Sequence, residues 1–286
     1  MKIKISTDST ADIPVKFCEE LNISVLPLIV RYQDKEYRDG IDITSEEMFK
    51  ILESCTTMPT SAQVAMPLYT ELFEKTYNEG YTDLVHTTIN AKGSGTYQTA
   101  ILSKNMFFED HPEAEGKFNI HIIDSGTYSM AYGLGVIEAA TLVKQGADVQ
   151  TVLDAVNDWM NNARALFVPL DLKCVKKSGR VSAAAAFVGD AMGLKPLLSF
   201  ENGESVILGK IRGEKKVISA VVDLFLKERK PGSIYALAHG NNMEVFANFK
   251  NAVAEVADIS PISEYPVGTI IGINTGPNLI GILYRK

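Results

Sequence analysis

Apolar and polar residues follow two rhythms along the first half of the chain. Short alternating runs, "KIKIST" (residues 2–7), "YTDLVHTTI" (81–89) and "FNIHIID" (118–124), read as strands. "ISVLPLIVRY" (23–32) reads as a further strand, with a hairpin-like "QDKEY" after it. Between them lie stretches with apolar residues at helical spacing. "DIPVKFCEEL" reads as a helix with Asp12 as N-cap and Pro14 in its first turn. In "ITSEEMFKILESC", Thr44 and Glu47 form a capping box ahead of the apolar face Met48, Ile51, Leu52 and Cys55. "PLYTELFEKTYNEG" stops at Gly80, "YQTAILSKNMFF" follows a glycine-rich turn, and "SMAYGLGVIEAATLVKQG" reads as a further helix. Strands separated by helices of this length imply βαβ units and a parallel sheet.

The second half changes character. The helix "VQTVLDAVNDWMNNA" carries one stripe of Val152, Val156, Trp159 and Met160, which core packing explains without a ligand. After the strand "RALFVPL", an Ala-rich helix "SAAAAFVGDAMG" precedes a hairpin, "KPLLSF" and "SVILGKI" joined through "NG". Helix "EKKVISAVVDLFLKERK", strand "SIYALAHG", helix "MEVFANFKNAVAEVA" and strand-like "ISPISEY" come next, and the tail from Val267 ends in a strand. Hairpins among helices predict a mixed or antiparallel sheet. At 286 residues the chain exceeds what one hydrophobic core usually serves. The expected architecture is two α/β domains, residues 1–158 with a mainly parallel sheet and residues 159–286 with a mixed sheet flanked by helices.

Composition narrows the function classes. A net charge of −7 gives no basic footprint for nucleic acid. Cys18, Cys55 and Cys174 are odd in number and far apart, which fits idle thiols rather than a disulfide framework or zinc site. No apolar run approaches the ~20 residues of a membrane span, and the N-terminus enters a strand without a signal-peptide core. A soluble cytoplasmic protein without stable membrane insertion is expected.

In open α/β sheets ligands gather at the carboxyl ends of the strands. Three such ends are rich in hydroxyls: "STDSTAD" with Thr7, Asp8, Ser9 and Thr10; "GSGT" with Ser94, Gly95 and Thr96; and "DSGT", Asp124 to Thr127. A loop, "MPTSAQ", adds Thr60, Ser61 and Gln63. Each could be no more than a local cap or turn; together they point to a shared polar pocket. The Walker and dinucleotide glycine patterns are absent, as are H-E-x-x-H and any metal-ligand cluster, so neither a metal nor a nucleotide cofactor is expected. "GSGT" is not a nucleophile elbow, and of His86, His111, His121 and His239 only His239 ends a strand. A Ser-dependent lipid hydrolase, or a lipid phosphotransferase, is therefore the secondary reading. A carboxylate suits hydroxyls and backbone N–H groups at a helix start without a metal. "KCVKKSGRVS" places Lys173, Lys176, Lys177 and Arg180 around Gly179, either as a basic helix end or as an anion contact. "NTGPN", Asn274 to Asn278, reads locally as a tight turn.

The segments "STDSTADIP", "LPLIV", "PTSAQ", "GSGTYQTA", "DSGTYSMAYG", "LKCVKKSGRVS", "LKPLLSF", "KIRGEKK" and "NTGPN", in this order, make the chain resemble the DegV family of bacterial lipid-binding proteins over nearly its whole length. The resemblance implies a non-enzymatic carrier of a long-chain fatty acid such as palmitate, with the acyl chain in an apolar tunnel and the carboxylate held by hydroxyls near the domain junction. Ser94 matches the family's carboxylate-binding serine, with Gly95 and Thr96 beside it. Ser61, with Thr60 next to it, matches the hydroxyl residue of the Thr-Ser-Gln-Pro loop, although the loop here reads Thr60–Ser61–Ala62–Gln63–Val64. Arg180 matches the arginine of the Gly-Arg-Ile/Val segment, and Arg212 a basic residue in a segment linked to partner contact. The family role further implies presentation of the acid to a separate fatty acid kinase subunit for phospholipid synthesis, with ATP and magnesium on that partner. Asn274 and Asn278 stand where the family's C-terminal motif carries His and Gly. Asparagine can hydrogen-bond but cannot carry a proton.

Overall fold

The computed structural model describes residues 2–185, 187 and 193–286. Its first sheet is parallel and has the order β2-β1-β6-β7, built from β1 (Ile3–Asp8), β2 (Ile23–Leu26), β6 (Asp83–Thr88) and β7 (Asn119–Asp124). Every residue of the two central strands is buried, as expected where helices cover both faces of a parallel sheet. A three-stranded antiparallel sheet, β4-β3-β5, stands beside it, made of β3 (Ile29–Tyr32), β4 (Lys35–Arg38) and β5 (Thr60–Ala62). The stretch read as one strand over 23–32 is therefore two. Pro27 lies at the break and has no N–H to continue the ladder, so the chain leaves the parallel sheet after Leu26 and enters the small one at Ile29.

The remaining strands form a six-stranded mixed sheet, β10-β9-β8-β13-β11-β12. They are β8 (Ala163–Pro169), β9 (Leu194–Glu201), β10 (Glu204–Arg212), β11 (Tyr235–His239), β12 (Ser263–Pro266) and β13 (Leu279–Arg285). Only β11 and β12 run parallel. The β9–β10 hairpin turns at Asn202–Gly203, both at positive φ, as the "NG" signal requires.

Strand alternation gives this sheet two different faces. Leu166, Val168, Leu237, Ile280, Ile282 and Tyr284 pack with the helices Glu214–Glu228 and Met243–Ala254. Their neighbours Ala165, Ala238, Leu279 and Leu283 belong to the core shared with the parallel sheet. The helix Met130–Lys144 packs against both β1 and the strands β8, β11 and β13. Its first two turns, residues 130–137, are buried throughout and carry no charged residue, while Glu138 and Lys144 fall on its less enclosed end. The helix Val149–Asn162 packs on it through the predicted stripe, and Trp159 Nε1 donates to Ala131 O at 2.8 Å.

Several local expectations are met. Thr44 and Glu47 form the capping box of helix Ser45–Ser54. The three cysteines are free. Of the Ala-rich segment, Ser182–Ala185 is helical; residues 186 and 188–192 lie outside the described residues. Two expectations need correction. Asp12 is not a helix N-cap: it sits at φ 53 at the end of a short 3-10 turn, and helix Val15–Glu20 starts after Pro14. Asn274 is not in a tight turn: it lies in the last turn of a helix, Thr269–Thr275.

Candidate functional site

The face of the mixed sheet turned away from its helices does not close completely on the parallel sheet. A cavity of about 490 Å³ remains between them, within the usual range of small-molecule sites. Its wall on the mixed-sheet side follows the period of two. Ala238 of β11 pairs with Gly281 of β13, which pairs with Phe167 of β8; one step along, Leu283 pairs with Ala165. All of these line the cavity. The small residues at 165, 238 and 281 create the space, and Phe167 and Phe200, stacked with ring centroids 5.4 Å apart, bound it. Ile270 and Ile271 of helix Thr269–Thr275 add to the wall, together with Leu28 and Ile89.

Polar groups gather where the strands of the parallel sheet end. The turn after β6 is fastened from several directions. Asn90 Nδ2 donates to Tyr128 OH at 2.8 Å and to Gly203 O at 2.7 Å, so it joins this turn to the β9–β10 hairpin. Asp124 Oδ1 accepts from Ala91 N at 2.9 Å and from Gly126 N at 3.0 Å. Ser94 follows, with its Oγ 2.8 Å from Thr96 Oγ1 and 3.3 Å from Thr96 N, at the start of helix Thr96–Asp110. The glycines on either side of Ser94 allow close approach: a Cβ at Gly93 would overlap the Tyr128 hydroxyl, and one at Gly95 would push aside the end of the Gln63 side chain.

Ser61, Ser94, Gly95, Arg180 and Asn274, five of the residues singled out from sequence, line this one cavity. Thr60 and Thr96 do not. Thr60 is exposed on β5, and Thr96 is buried beneath Ser94, where its hydroxyl orients the serine. Asn274 Nδ2 donates to Ile270 O at 2.7 Å within its own helix. The cavity also includes residues the sequence did not single out: Arg31, Tyr128, Ser129 and Tyr265. Arg31 and Arg180 are the charged side chains in its described lining, so that lining has no carboxylate. Arg31 Nε pairs with Glu36 at 2.7 Å. A polar hollow of about 370 Å³ adjoins the cavity and shares Gly93, Tyr128 and Arg180 with it.

Behind the wall lie three carboxyls, Asp8 and Asp39 buried and Asp12 part-buried. Asp8 accepts from Ile89 N at 2.7 Å, Tyr132 OH at 2.7 Å, Thr10 N at 3.1 Å and the Thr10 hydroxyl, and thereby fixes the end of β6 just before the Ser94 turn. Asp39 accepts from Ser9 Oγ at 2.6 Å and from the Thr269 hydroxyl. Asp12 accepts from Ser129 Oγ at 2.5 Å and from Gly268 N. Burial raises all three above the usual carboxylate range, Asp12 to about 8.

No histidine is in the cavity's described lining, where Ser94 lies. His86 is buried, bonded through Nδ1 to Ser6 Oγ at 2.8 Å, and pushed down by burial to about 3. His239 Nδ1 donates to Gly240 O at 2.9 Å and its ring packs on Phe246.

A family model for the DegV family, described as uncharacterised proteins, matches residues 2–286. The chain belongs to the DegV family. A DegV domain-containing protein of Halalkalibacterium halodurans is 33% identical over 285 residues, covering 98% of this chain and 97% of its own. Among solved structures, a fatty-acid-binding DegV family protein of Thermus thermophilus superposes with a TM-score of 0.88 at 26% identity over 100% of both chains. DegV of Bacillus subtilis, described as a fatty acid binding protein, gives 0.85 at 26% identity over 99% of this chain and 98% of its own. The DegV resemblance carried by the sequence motifs thus extends to the whole fold, a parallel four-stranded sheet and a mixed six-stranded sheet flanked by helices.

Proposed function

We propose that this DegV protein binds a long-chain fatty acid in the 490 Å³ cavity. The acyl chain lies along the apolar wall, and the carboxylate is held at the hydroxyl-bearing end by Ser94 and Ser61 with Arg180 nearby. The observation that carries this reading is the make-up of one cavity: an apolar wall from the mixed sheet together with serines, Gly95 and arginines, and no carboxylate in the described lining. The fatty-acid-binding relatives of the same fold support it. About fourteen buried methylenes at ~0.8 kcal/mol each supply ~11 kcal/mol before the costs of association, so the tail sets affinity and the head group sets orientation. The division of the chain into residues 1–158 and 159–286 belongs to the same proposal, because β1–β7 and β8–β13 fall on its two sides with the cavity between.

The protein itself holds and orients its ligand and needs no cofactor. Presentation to a fatty acid kinase, with ATP and magnesium on the partner, extends the reading. Arg212, exposed at the end of β10, is the proposed contact, and Asn274 takes the place of the family histidine at the cavity. The primary test is denaturing extraction of purified protein followed by mass spectrometry, together with titration of delipidated protein with palmitate. Co-purified fatty acid and saturable binding are expected; no lipid and no binding would overturn the assignment. Salt-dependent capture of a fatty acid kinase, weakened by Arg212→Glu, tests the extension.

A further inference from the structure

The cavity and the Asp12 carboxyl are joined by one hydrogen-bonded chain. Asp12 Oδ2 lies 2.5 Å from Ser129 Oγ, and Ser129 Oγ lies 2.7 Å from Tyr265 OH. Ser129 and Tyr265 both line the cavity. Met130 N–H donates to the Tyr265 hydroxyl oxygen, and Gly268 N–H to Asp12. Two residues of this chain are held in unusual backbone conformations, Asp12 at φ 53 and Ser129 at φ 56, ψ −152. The Ser129 conformation is one normally left to glycine and is maintained only where surrounding contacts enforce it.

Hydrogen accounting gives this chain two states. With Asp12 ionised, the Ser129 hydroxyl donates to the carboxylate and Tyr265 donates to Ser129, so neither hydroxyl hydrogen is left for the cavity. With Asp12 neutral, its own O–H donates to Ser129 and Ser129 donates to Tyr265. The Tyr265 oxygen then accepts from both Ser129 and Met130, and its hydrogen is free for the cavity's contents.

We propose that Asp12, Ser129 and Tyr265 form a proton-coupled wall of the ligand cavity: the neutral Asp12 carboxyl presents a Tyr265 O–H to the bound acid, the ionised one withdraws it, and acid binding and proton binding are therefore linked. The coupling rests on the fatty-acid reading of the cavity. The titratable groups facing Asp12 are Asp8 at the end of β1, Asp39 after β4, Tyr132 of helix Met130–Lys144 and Tyr265 of β12. The charges acting on Asp12 are those of Asp39 and Asp8, both of which disfavour its ionisation. Burial does most to raise its carboxyl to about 8, against the opposing hydrogen bonds from Ser129 and Gly268. By linkage, a ligand that prefers the neutral carboxyl must raise its proton affinity in return.

The test is calorimetric titration of delipidated protein with palmitate between about pH 6.5 and pH 9.5, in buffers of different ionisation enthalpy, for wild type, Asp12→Asn and Tyr265→Phe. Palmitate's own carboxylate has an ordinary pKa well below this range. Wild type is expected to take up a fraction of a proton on binding near pH 8, and its affinity to fall by up to ~10-fold per pH unit above that. Asp12→Asn, which keeps the neutral shape, should bind without proton uptake and with a flat profile; Tyr265→Phe should lose most of the pH step while keeping the carboxyl. Matching uptake and matching profiles in wild type and Asp12→Asn would overturn the coupling. A wild type that binds no palmitate at any pH would instead overturn the fatty-acid reading, a result distinct from equal profiles.

Discussion

Ala238→Leu tests where the acyl tail lies. Ala238 is 3% exposed, its register neighbour on β13 is Gly281, and its side chain faces the cavity, while Leu237 beside it faces the helices. Leucine adds three carbons to a space bounded by small residues. Displacing about three ligand methylenes at ~0.8 kcal/mol each costs about 2 kcal/mol, or roughly 30-fold in affinity. The substitution adds apolar volume to a void, so thermal stability of the ligand-free protein should hold or rise. Competition binding with saturated acids from about six to eighteen carbons reads the outcome. The long acids should weaken by roughly 30-fold, and the shortest, which do not reach the added side chain, should change little. Equal weakening at every length would mean that the head group, not the tail, sits beside β11. Unchanged affinity at every length would place the ligand elsewhere.

Three other measurements bear on the site. Ser94→Ala and Ser61→Ala each remove a hydrogen bond to a charged group, ~1.5–3 kcal/mol; roughly 10- to 100-fold weaker palmitate binding is expected by equilibrium titration, and no change in either variant would remove them from the head-group site. Asp8→Ala strands the Ile89 and Thr10 N–H groups and the Tyr132 hydroxyl in the interior, so the urea midpoint should fall by an amount equivalent to ~3 kcal/mol or more. Stability should also decline with rising pH. The folded state keeps a proton on Asp12 up to about pH 8 that the unfolded chain releases near its ordinary value of 3.8. The contribution is therefore complete at acid pH and is lost as pH climbs through that window, with Asp8 and Asp39 acting in the same direction. Asp12→Asn should flatten the melting-temperature profile, and a profile rising from pH 5 to 8 would contradict the sign.

The two periodicities that alternate along the chain were enough to expose most elements, because long helices and buried strands announce themselves locally. Thr44 with Glu47 is such a case, and so is the Asn202–Gly203 turn. Helix Thr269–Thr275 was hidden because "TIIGINT" is rich in β-branched residues and glycine, so its intrinsic preference is weak and packing against its neighbours decides. Asp12 looked like a cap because Asp-x-Pro before an apolar run satisfies the local rule; only the approach of Ser129 and Gly268 shows that its carboxyl is engaged elsewhere. At the site, Ser94, Ser61 and Arg180 were legible through their motifs. Arg31 and Tyr265 were not. Tyr265 meets Ser129 across 136 residues of sequence, and no local pattern encodes a contact at that separation. Arg31 falls within one continuous strand pattern, and only the break at Pro27 carries it to the small sheet.

The alternation of β8, β11 and β13 separates two kinds of mutational consequence within the same few residues. A change at Leu166, Val168, Leu237, Ile280 or Ile282 falls on the layer that holds the sheet to its helices and is felt as lost stability. A change one position away, at Ala165, Phe167, Ala238 or Leu283, falls on the cavity wall and alters ligand preference, with a cost in stability where the residue also sits in the core shared with the parallel sheet. Tail selectivity can therefore drift in single steps on one parity of the strands while the other parity keeps the sheet on its helices, and the folded members of a substitution library confined to the cavity parity should carry different acids.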